Sequence, residues 1–294
     1  MYYKMDEKTI NKISNISETL LIPLYSRALE SKTKNPIIID KKAIEITDEL
    51  NKIFEKSNSF LYQNLAKGKP RKRISKKLNV AMALRTRKFD RYCSSFLRQN
   101  PNGTIVELGC GLSTRCSRID NTKVVWYDLD FPEVIDIRKE FFKESERYHF
   151  IESSVLDFQW MEKIKEKNNK ILFIAEGLFM YLQEKDVKNL VINLQKSFPG
   201  CYLVCEVVNS FLVKVLKRKM WRKKFQRDYG FGEDTSFYFG IKDSKDFEKW
   251  NQGITFLEEW TYFDDKEKKM GWMNLLGRSK KLSKTQWTVY YQLK

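Results

Sequence analysis

Two glycines and two carboxylates stand at a spacing that suits a nucleoside-binding site. Gly109 and Gly111 follow the apolar run 104–108, and Asp128 and Asp130 close a second apolar run 17 and 19 residues after Gly111. Glycine has no Cβ, so the backbone there can approach a bound nucleoside closely. A carboxylate at the end of the next strand can accept hydrogen bonds from both ribose hydroxyls. The pattern therefore predicts a nucleoside site between these two strand ends.

The residues around the glycines indicate which nucleoside binds. Glu107 precedes them in the pattern E-x-G-x-G, and Thr114 stands where a dinucleotide fingerprint has its third glycine. That third glycine lets the helix pack closely, with the pyrophosphate at the helix N-terminus. Its absence favours a cofactor without a pyrophosphate, namely S-adenosylmethionine.

Residues for nucleophilic or metal chemistry are few. His149 is the one histidine of the chain, and the five cysteines contain no C-x-x-C pair. These counts argue against a histidine-based triad, a zinc site and a disulfide framework. Cys201 and Cys205 lie four apart in an apolar run, so on a strand both face the same way as buried small hydrophobic side chains. No metal site is predicted, and no residue stands out as catalytic.

Alternating strand and helix patterns provide the frame for these residues. Continuous apolar runs that alternate with helical segments are typical of a parallel sheet covered by helices on both faces. Strands are predicted over 104–108, 123–130, 148–151, 170–176 and 201–208, and helices over 132–145, 157–167 and 184–198. Two late aromatic-rich segments with alternating polarity predict a closing antiparallel pair over 254–263 and 287–293.

Two helical regions flank this frame. Residues 1–100 are predicted to be a helical N-terminal extension, and residues 101–294 the cofactor-binding domain. Within the extension, helices are predicted from Ser17, over 48–65 and over 81–97.

A helical insertion, or lid, is expected at about 209–245, after the fifth strand. It contains a basic segment, 211–225, with interleaved apolar residues. We expect the extension and the insertion to bind the acceptor. An apolar pocket would use Phe231, Phe237, Tyr238 and Phe239. An anionic substrate would meet Lys214, Lys217, Arg218, Lys219, Arg222, Lys223, Lys224 and Arg227.

Several motifs together resemble the leucine carboxyl methyltransferase family, which includes the tetracenomycin-type polyketide O-methyltransferases. The glycine loop 105–111 and the D-F-P segment 128–135 resemble its cofactor motifs, and the similarity extends from about residue 17 to 208. Further matching segments are 24–31, 85–90, 155–158 and 174–182. The resemblance implies an α/β, Rossmann-like class I methyltransferase with a mostly parallel seven-stranded sheet and an antiparallel closing strand. It also implies O-methyl transfer from S-adenosylmethionine.

The resemblance implies a role for each matching residue. Arg85 would hold the methionine carboxylate of the cofactor as a charge-assisted pair, and Glu176 would lie near its amino group and sulfonium. Asp130 would bind the ribose, with Asp128 as the alternative. Gly109 would be the glycine of closest approach. The predicted cofactor-binding residues are Arg85, Glu107, Gly109, Gly111, Asp128, Asp130, Asp157, Phe158 and Glu176.

Asp157 and Phe158 would bind the adenine, the carboxylate accepting from the amino group and the amide donating to a ring nitrogen. Asp157 is also a good helix N-cap, which is the alternative interpretation. Arg85 lies in a stretch rich in basic residues, so a solvated side chain is the alternative there.

The net charge of the chain and its few candidate bases do not identify the methyl acceptor. The chain carries 55 Lys and Arg against 38 Asp and Glu, a net charge of +17. This excess suggests an acidic substrate or a polyanion, although solvated lysines need no ligand. The predicted acceptor is a small molecule or a peptide carboxylate, and the scarcity of bases favours a carboxylate, which is ionised at neutral pH. The alternatives are a tRNA-modifying methyltransferase of the wybutosine type and a non-catalytic S-adenosylmethionine-binding protein.

Targeting signals are not apparent. No stretch of 18 apolar residues occurs, and the first eight residues do not resemble a signal peptide. A cytoplasmic protein without a transmembrane segment is expected, and the oligomeric state stays open.

Overall fold

A seven-stranded sheet forms the centre of the computed structural model, which describes residues 18–55, 76–165, 170–218, 223 and 236–294. The strands are β1 Thr104–Leu108, β2 Val125–Asp130, β3 Tyr148–Glu152, β4 Ile171–Ala175, β5 Cys201–Val208, β6 Ile254–Thr261 and β7 Gln286–Leu293. Their order is β3-β2-β1-β4-β5-β7-β6. The first five pair in parallel, and β7 lies antiparallel between β5 and β6. The predicted parallel sheet with an antiparallel closing pair is therefore confirmed.

The strand order reverses at β1, which pairs with β2 on one side and β4 on the other. At such a switch point, the loops that leave the two central strands diverge and open a crevice for a ligand. The crevice of this sheet therefore lies at the carboxyl ends of β1 and β4.

Helices cover both faces of the sheet. In the described residues they are α1 Glu18–Ser31, α2 Lys41–Phe54, α3 Lys76–Gln99, α4 Arg115–Ile119, α5 Pro132–Phe141, α6 Glu184–Ser197, α7 Ser210–Leu216 and α8 Lys280–Ser283. Short 3-10 helices occupy Phe158–Lys163, Phe179–Tyr181, Asp246–Lys249 and Lys268–Arg278. None of these helices is both long enough and apolar enough to cross a lipid bilayer.

Alternate residues of the strands supply two separate cores. On one face, Cys201 and Cys205 of β5 pack with the residues of α6, which confirms their predicted common orientation. On the other face, Ile105 of β1 and Leu172 of β4 pack against α3. Every residue of β1 and β4 is buried, as continuous apolar strands between two helical layers require.

The N-terminal helices differ in extent from their prediction. Helix α2 begins at Lys41, earlier than the predicted Asp48, because the buried Asp40 caps it by accepting from the amide of Ala43 at 2.9 Å. It ends at Phe54, and residues 56–75 lie outside the described part of the chain. Helix α1 is observed from Glu18, whereas its predicted cap, Ser17, also lies outside. The division into an extension and a domain stays a prediction.

Two later segments also differ. The predicted helical segment 157–167 forms a 3-10 helix over Phe158–Lys163 that ends before Ile164, and residues 166 and 167 lie outside the described part of the chain. The predicted insertion after β5 begins as α7, which Asn209 caps by accepting from the amide of Phe211 at 2.9 Å. Several residues predicted to contact the acceptor lie outside the described part of the chain: Lys219, Arg222, Lys224, Arg227 and Phe231.

Candidate active site

A cavity of about 880 Å³ lies at the carboxyl ends of the central strands. Its inner part is the crevice between β1 and β4, lined by the glycine loop, the end of β2 and the residues after β4. Its outer part extends between α3, α7 and the 3-10 helix Lys268–Arg278. Six of the nine predicted cofactor-binding residues line this cavity, and their contacts differ widely.

The glycine loop has a backbone shape that only glycine adopts without strain. Gly109 and Gly111 have φ values of +65° and +50°. A Cβ added to Gly109 would lie 3.0 Å from Leu178, and one on Gly111 would lie 2.9 Å from Leu20 of α1. The amides of Gly109 and Cys110 both donate to the carbonyl of Leu129, at 2.8 and 3.0 Å. The loop is thus tied to the end of β2 and closely covered by side chains.

Asp130 ends β2 and lines the cavity. Its Oδ2 accepts from the amide of Gly111 at 2.7 Å, and its Oδ1 accepts from the amide of Phe131 at 2.8 Å. Burial raises the pKa of this carboxyl, although both amide hydrogen bonds oppose the rise. Each oxygen keeps a lone pair beyond the amide it already accepts, as recognition of a ribose diol requires.

Asp128 lies behind the crevice rather than in it. It is fully buried and does not line the cavity. Its carboxylate accepts from the indole Nε1 of Trp126 at 3.0 Å, from the hydroxyl of Tyr148 and from the guanidinium of Arg138. Of the two candidate ribose residues, the structure brings only Asp130 to the cavity.

Glu107 and Glu176 meet on one arginine that the sequence analysis did not assign. Arg115, at the start of α4, is almost fully buried. It donates to Glu107, to Glu176 and, through Nε at 2.9 Å, to Asp90. Arg115 directly follows Thr114, which occupies the third glycine position. A charged residue at the start of the helix after the glycine loop was therefore the feature of the sequence that could have indicated this role.

The two glutamates have opposite pKa shifts. Burial alone would raise the pKa of Glu176, but Arg85, Arg115 and Arg27 lower it to about 2. For Glu107 burial prevails over Arg115 and raises the pKa to about 7. Its Oε2 is buried and has no hydrogen-bond partner among the described residues, although the residue lines the cavity. Glu176 is therefore an anion at neutral pH, whereas Glu107 titrates near neutrality.

Arg85 is a buried member of this cluster and not a solvated side chain. Its Nε donates to Glu176 at 2.6 Å, and its Nη1 donates to Glu206 at 3.0 Å. These carboxylates outweigh burial and raise the pKa of Arg85 further. Its Nη2 lies close to Gly177, at 3.9 Å from the position that a Cβ would occupy.

Asp157 and Phe158 are not brought to the cavity. Asp157 is exposed and caps the following 3-10 helix by accepting from the amide of Gln159 at 3.3 Å. Phe158 is half-buried and packs against the main core. Phe131, which is 52% exposed beside Asp130, lines the cavity instead. An adenine contact by residues 157 and 158 stays a prediction that this geometry does not favour.

The outer part of the cavity is an apolar chamber. Its apolar lining includes Leu78, Met82, Met180, Tyr181, Phe237, Tyr262, Phe263, Met270 and Met273. The polar residues Ser283, Thr285 and Gln286 also line the cavity. Of the aromatic residues predicted here, Phe237 is correctly placed. Tyr238 points to solvent and Phe239 packs in the core against Phe247 and Trp250, so both of these predictions are wrong.

Three of the basic residues predicted to meet an anionic substrate lie elsewhere. Lys214, Lys217 and Arg218 are exposed on and after α7 and do not line the cavity. His149 on β3 packs against Tyr127 on β2, with ring centroids 4.9 Å apart, and also lies outside the cavity. Among the described residues, no cluster of histidine, cysteine or acidic side chains could hold a metal ion.

This strand order and crevice are those of a class I methyltransferase, and the comparisons with known proteins agree. Residues 21–195, more than half of the chain, match the model of the leucine carboxyl methyltransferase family, so the chain belongs to that family and is a methyltransferase.

Two relatives and one solved structure of the same fold illustrate the likeness. The chain is 26% identical over 254 residues to the tetracenomycin polyketide synthesis O-methyltransferase TcmP of Streptomyces glaucescens, covering 86% of this chain and 85% of that protein. It is 24% identical over 273 residues to the S-adenosyl-L-methionine-dependent methyltransferase dpfgK of Gibberella zeae, covering 86% of each. The crystal structure of a DUF574 family protein from Streptomyces avermitilis has the same fold, with a TM-score of 0.57, 11% identity and coverage of 95% of this chain and 98% of that one.

Proposed function

We propose that the protein transfers a methyl group from S-adenosylmethionine to an oxygen of a small, largely apolar acceptor, and that this oxygen belongs to a carboxylate. The observation that carries the proposal is the single cavity that joins the glycine crevice to the apolar chamber. A cofactor in the crevice and an acceptor in the chamber would meet beside Glu176 and Gly177.

The residues of the crevice fit this cofactor. Asp130 would accept from the ribose hydroxyls, and the bare backbone at Gly109 would lie against the nucleoside. Glu176, an anion because of its two arginines, would attract the amino group, and the Nη2 of Arg85 would hold the methionine carboxylate. The buried Oε2 of Glu107 lacks a partner that a ligand donor would supply. When bound, S-adenosylmethionine supplies a methyl group that its sulfonium already activates.

Because the electrophile is activated, the protein has to orient the acceptor and exclude water. The apolar chamber serves both purposes, with methionine and aromatic side chains against the body of the acceptor. No histidine lines it, and burial raises the pKa of Tyr181 to about 12, so this phenol stays protonated at neutral pH. A carboxylate acceptor needs no base to deprotonate it, whereas a hydroxyl acceptor benefits from one.

The chamber also separates this proposal from the tRNA-modifying alternative. The arginines that reach the cavity, among them Arg27, Arg85, Arg115 and Arg118, are all bonded to carboxylates. Recognition of a nucleic acid relies on cations that are available to phosphates. The lining therefore favours a small apolar acceptor.

Methyl transfer from methyl-tritiated S-adenosylmethionine to a panel of aromatic acids, phenols and a peptide with a free C-terminus tests the proposal. We expect the labelled product to come from the acids and to release volatile methanol in mild alkali, as methyl esters do. An alkali-stable product from a phenol would contradict the carboxylate assignment, and labelling of the peptide alone would contradict the small-molecule assignment.

A variant of the predicted ribose residue, with a matched control, tests the assignment of the cofactor site. Asp130→Asn should need about tenfold more cofactor for half-maximal rate, because a charge-assisted hydrogen bond is lost. Asp120→Asn removes a carboxylate that pairs with Arg147 outside the cavity and should behave as the wild type.

A further inference from the structure

Arg138 on α5 is a buried cation that none of the cofactor assignments uses. It is 1% exposed and does not line the cavity. Its Nη1 donates to the carbonyls of Gly111 and Ser113, at 2.7 and 2.9 Å. Its Nη2 donates to Asp128 and, at 2.8 Å, to the hydroxyl of Tyr148. One guanidinium thus holds the glycine loop without lining the cavity.

Two hydrogen bonds hold the backbone on both sides of the Cα atom of Gly111. The carbonyl of Gly111 is held by Arg138, and the amide of Gly111 donates to Oδ2 of Asp130 at 2.7 Å. Because glycine has more freedom in φ and ψ than other residues, this position depends on outside contacts for its conformation. A hydrogen-bonded path therefore leads from Arg138 through Gly111 to the carboxylate of Asp130.

Asp128 completes the arrangement. A buried guanidinium without a counterion is very costly, and Asp128 supplies the counterion while Tyr148 and Trp126 hold its oxygens in place. Asp128 thus supports the glycine loop through Arg138 and does not line the cavity.

We infer that Arg138 is a positioning residue for cofactor binding: it holds Gly111 so that Asp130 presents its oxygens to the ribose hydroxyls. The inference rests on the proposed function, because it concerns the same crevice. It assigns Asp128 to the support of Arg138.

Calorimetric titration of two variants with two ligands tests the inference. The ligands are S-adenosylhomocysteine and its 2′,3′-dideoxy analogue, which lacks the groups that Asp130 would bind. In Arg138→Lys the ammonium still pairs with Asp128, so the variant should fold, but it cannot also reach both loop carbonyls. We expect its affinity for S-adenosylhomocysteine to fall about five- to tenfold, and its affinity for the analogue to change less than about twofold. Arg138→Met should show a larger fall with the same selectivity.

Kinetics provide a second readout that a merely structural role would not give. The KM for S-adenosylmethionine should rise in Arg138→Lys while kcat at saturation stays within about twofold of the wild type. In an Asp130→Asn background, Arg138→Lys should add little further loss, because both changes act on one path. Arg147→Lys is the matched control, since Arg147 also binds a carboxylate and a backbone carbonyl, but on the surface. It should bind both ligands as the wild type does.

The outcomes separate this inference from the proposed function. A wild type that binds neither S-adenosylhomocysteine nor its analogue would overturn both. A wild type that binds, with Arg138→Lys losing the same factor for both ligands or losing nothing, would overturn the inference alone.

Discussion

Glu107 and Glu176 illustrate how far neighbours decide the chemistry of one residue type. Glu107 is buried, the side chain of Glu176 is only 13% exposed, and both accept from Arg115. Glu176 also accepts from Arg85, and its pKa falls to about 2, whereas Glu107 leaves one oxygen without a partner and its pKa rises to about 7. At Glu107 burial therefore determines the direction of the pKa shift, whereas at Glu176 the additional guanidinium of Arg85 reverses it.

At the residue scale, the glycine loop allows a prediction with a built-in control. Gly109→Ala should lower the free energy of unfolding by about 1–2 kcal/mol, because a Cβ is strained at φ +65°. It should also weaken S-adenosylhomocysteine binding about tenfold or more, since the methyl group meets Leu178 at the crevice. Chemical denaturation and calorimetry measure the two effects.

Gly200 provides the comparison, because its φ is +82° but an added Cβ would meet only the flexible end of Lys170, at 3.6 Å. Gly200→Ala should lose similar stability and bind the ligand normally. Equal affinity losses in both variants would show that strain alone, and not the crevice, governs the effect.

Local sequence patterns alone, without the family resemblance that also indicated Arg85 and Glu176, predicted the cavity residues whose neighbours lie close along the chain. Gly109, Gly111 and Asp130 come together because a strand, a loop and the next strand bring them there. Arg115 escaped prediction because its partners Asp90, Glu107 and Glu176 lie on α3, β1 and the segment after β4. Such pairings depend on the packed tertiary structure.

At the scale of the elements, the N-cap of α2, Asp40, connects this helix to residues that surround the crevice. Asp40 caps α2 and also accepts from Arg27 at 2.9 Å, Arg118 at 2.7 Å and Thr114 at 2.5 Å. Periodicity predicted this helix but not its start, because the cap is a buried charge whose partners lie on α1 and α4. The strands were predicted more closely, since continuous apolar runs reflect burial on both faces.

At this scale we expect Asp40→Asn to lower the free energy of unfolding by about 3 kcal/mol. Asparagine also caps helices well, so the loss isolates the charge that Arg27 and Arg118 require. Asp48→Asn, on the exposed side of α2, breaks a pair with Lys32 in which both side chains are about half exposed. It should cost less than about 1 kcal/mol. Comparable losses in urea denaturation of the two variants would contradict the role of buried charge.

Across the whole molecule, these contacts form one chain of alternating charges from α1 to β5. Among the described residues it holds four guanidiniums, of Arg27, Arg118, Arg115 and Arg85, and five carboxylates, of Asp40, Asp90, Glu107, Glu176 and Glu206. One carboxylate is in excess. Burial raises the pKa of Glu107, so a proton on Glu107 would balance the charges of these nine side chains.

This balance predicts how stability depends on pH. Glu107 binds its proton more tightly in the folded protein, where its pKa is about 7, than in the unfolded chain, where it is near 4.5. Its contribution therefore stabilises the fold at low pH and is lost as the pH rises from about 5 to 8. Glu107→Gln cannot ionise, so its stability relative to the wild type should increase by about 2 kcal/mol over that interval.

Glu176→Gln is the matched control for this pH dependence. The pKa of Glu176 is lowered to about 2, so its stabilisation is complete above about 4.5 and is lost only as the pH falls towards 2. The loss of stability in this variant should be constant between pH 5 and 8. Denaturation of both variants and the wild type at several pH values measures the difference. A constant offset for Glu107→Gln as well would mean that Glu107 is ionised throughout, and that the network carries its excess negative charge at neutral pH.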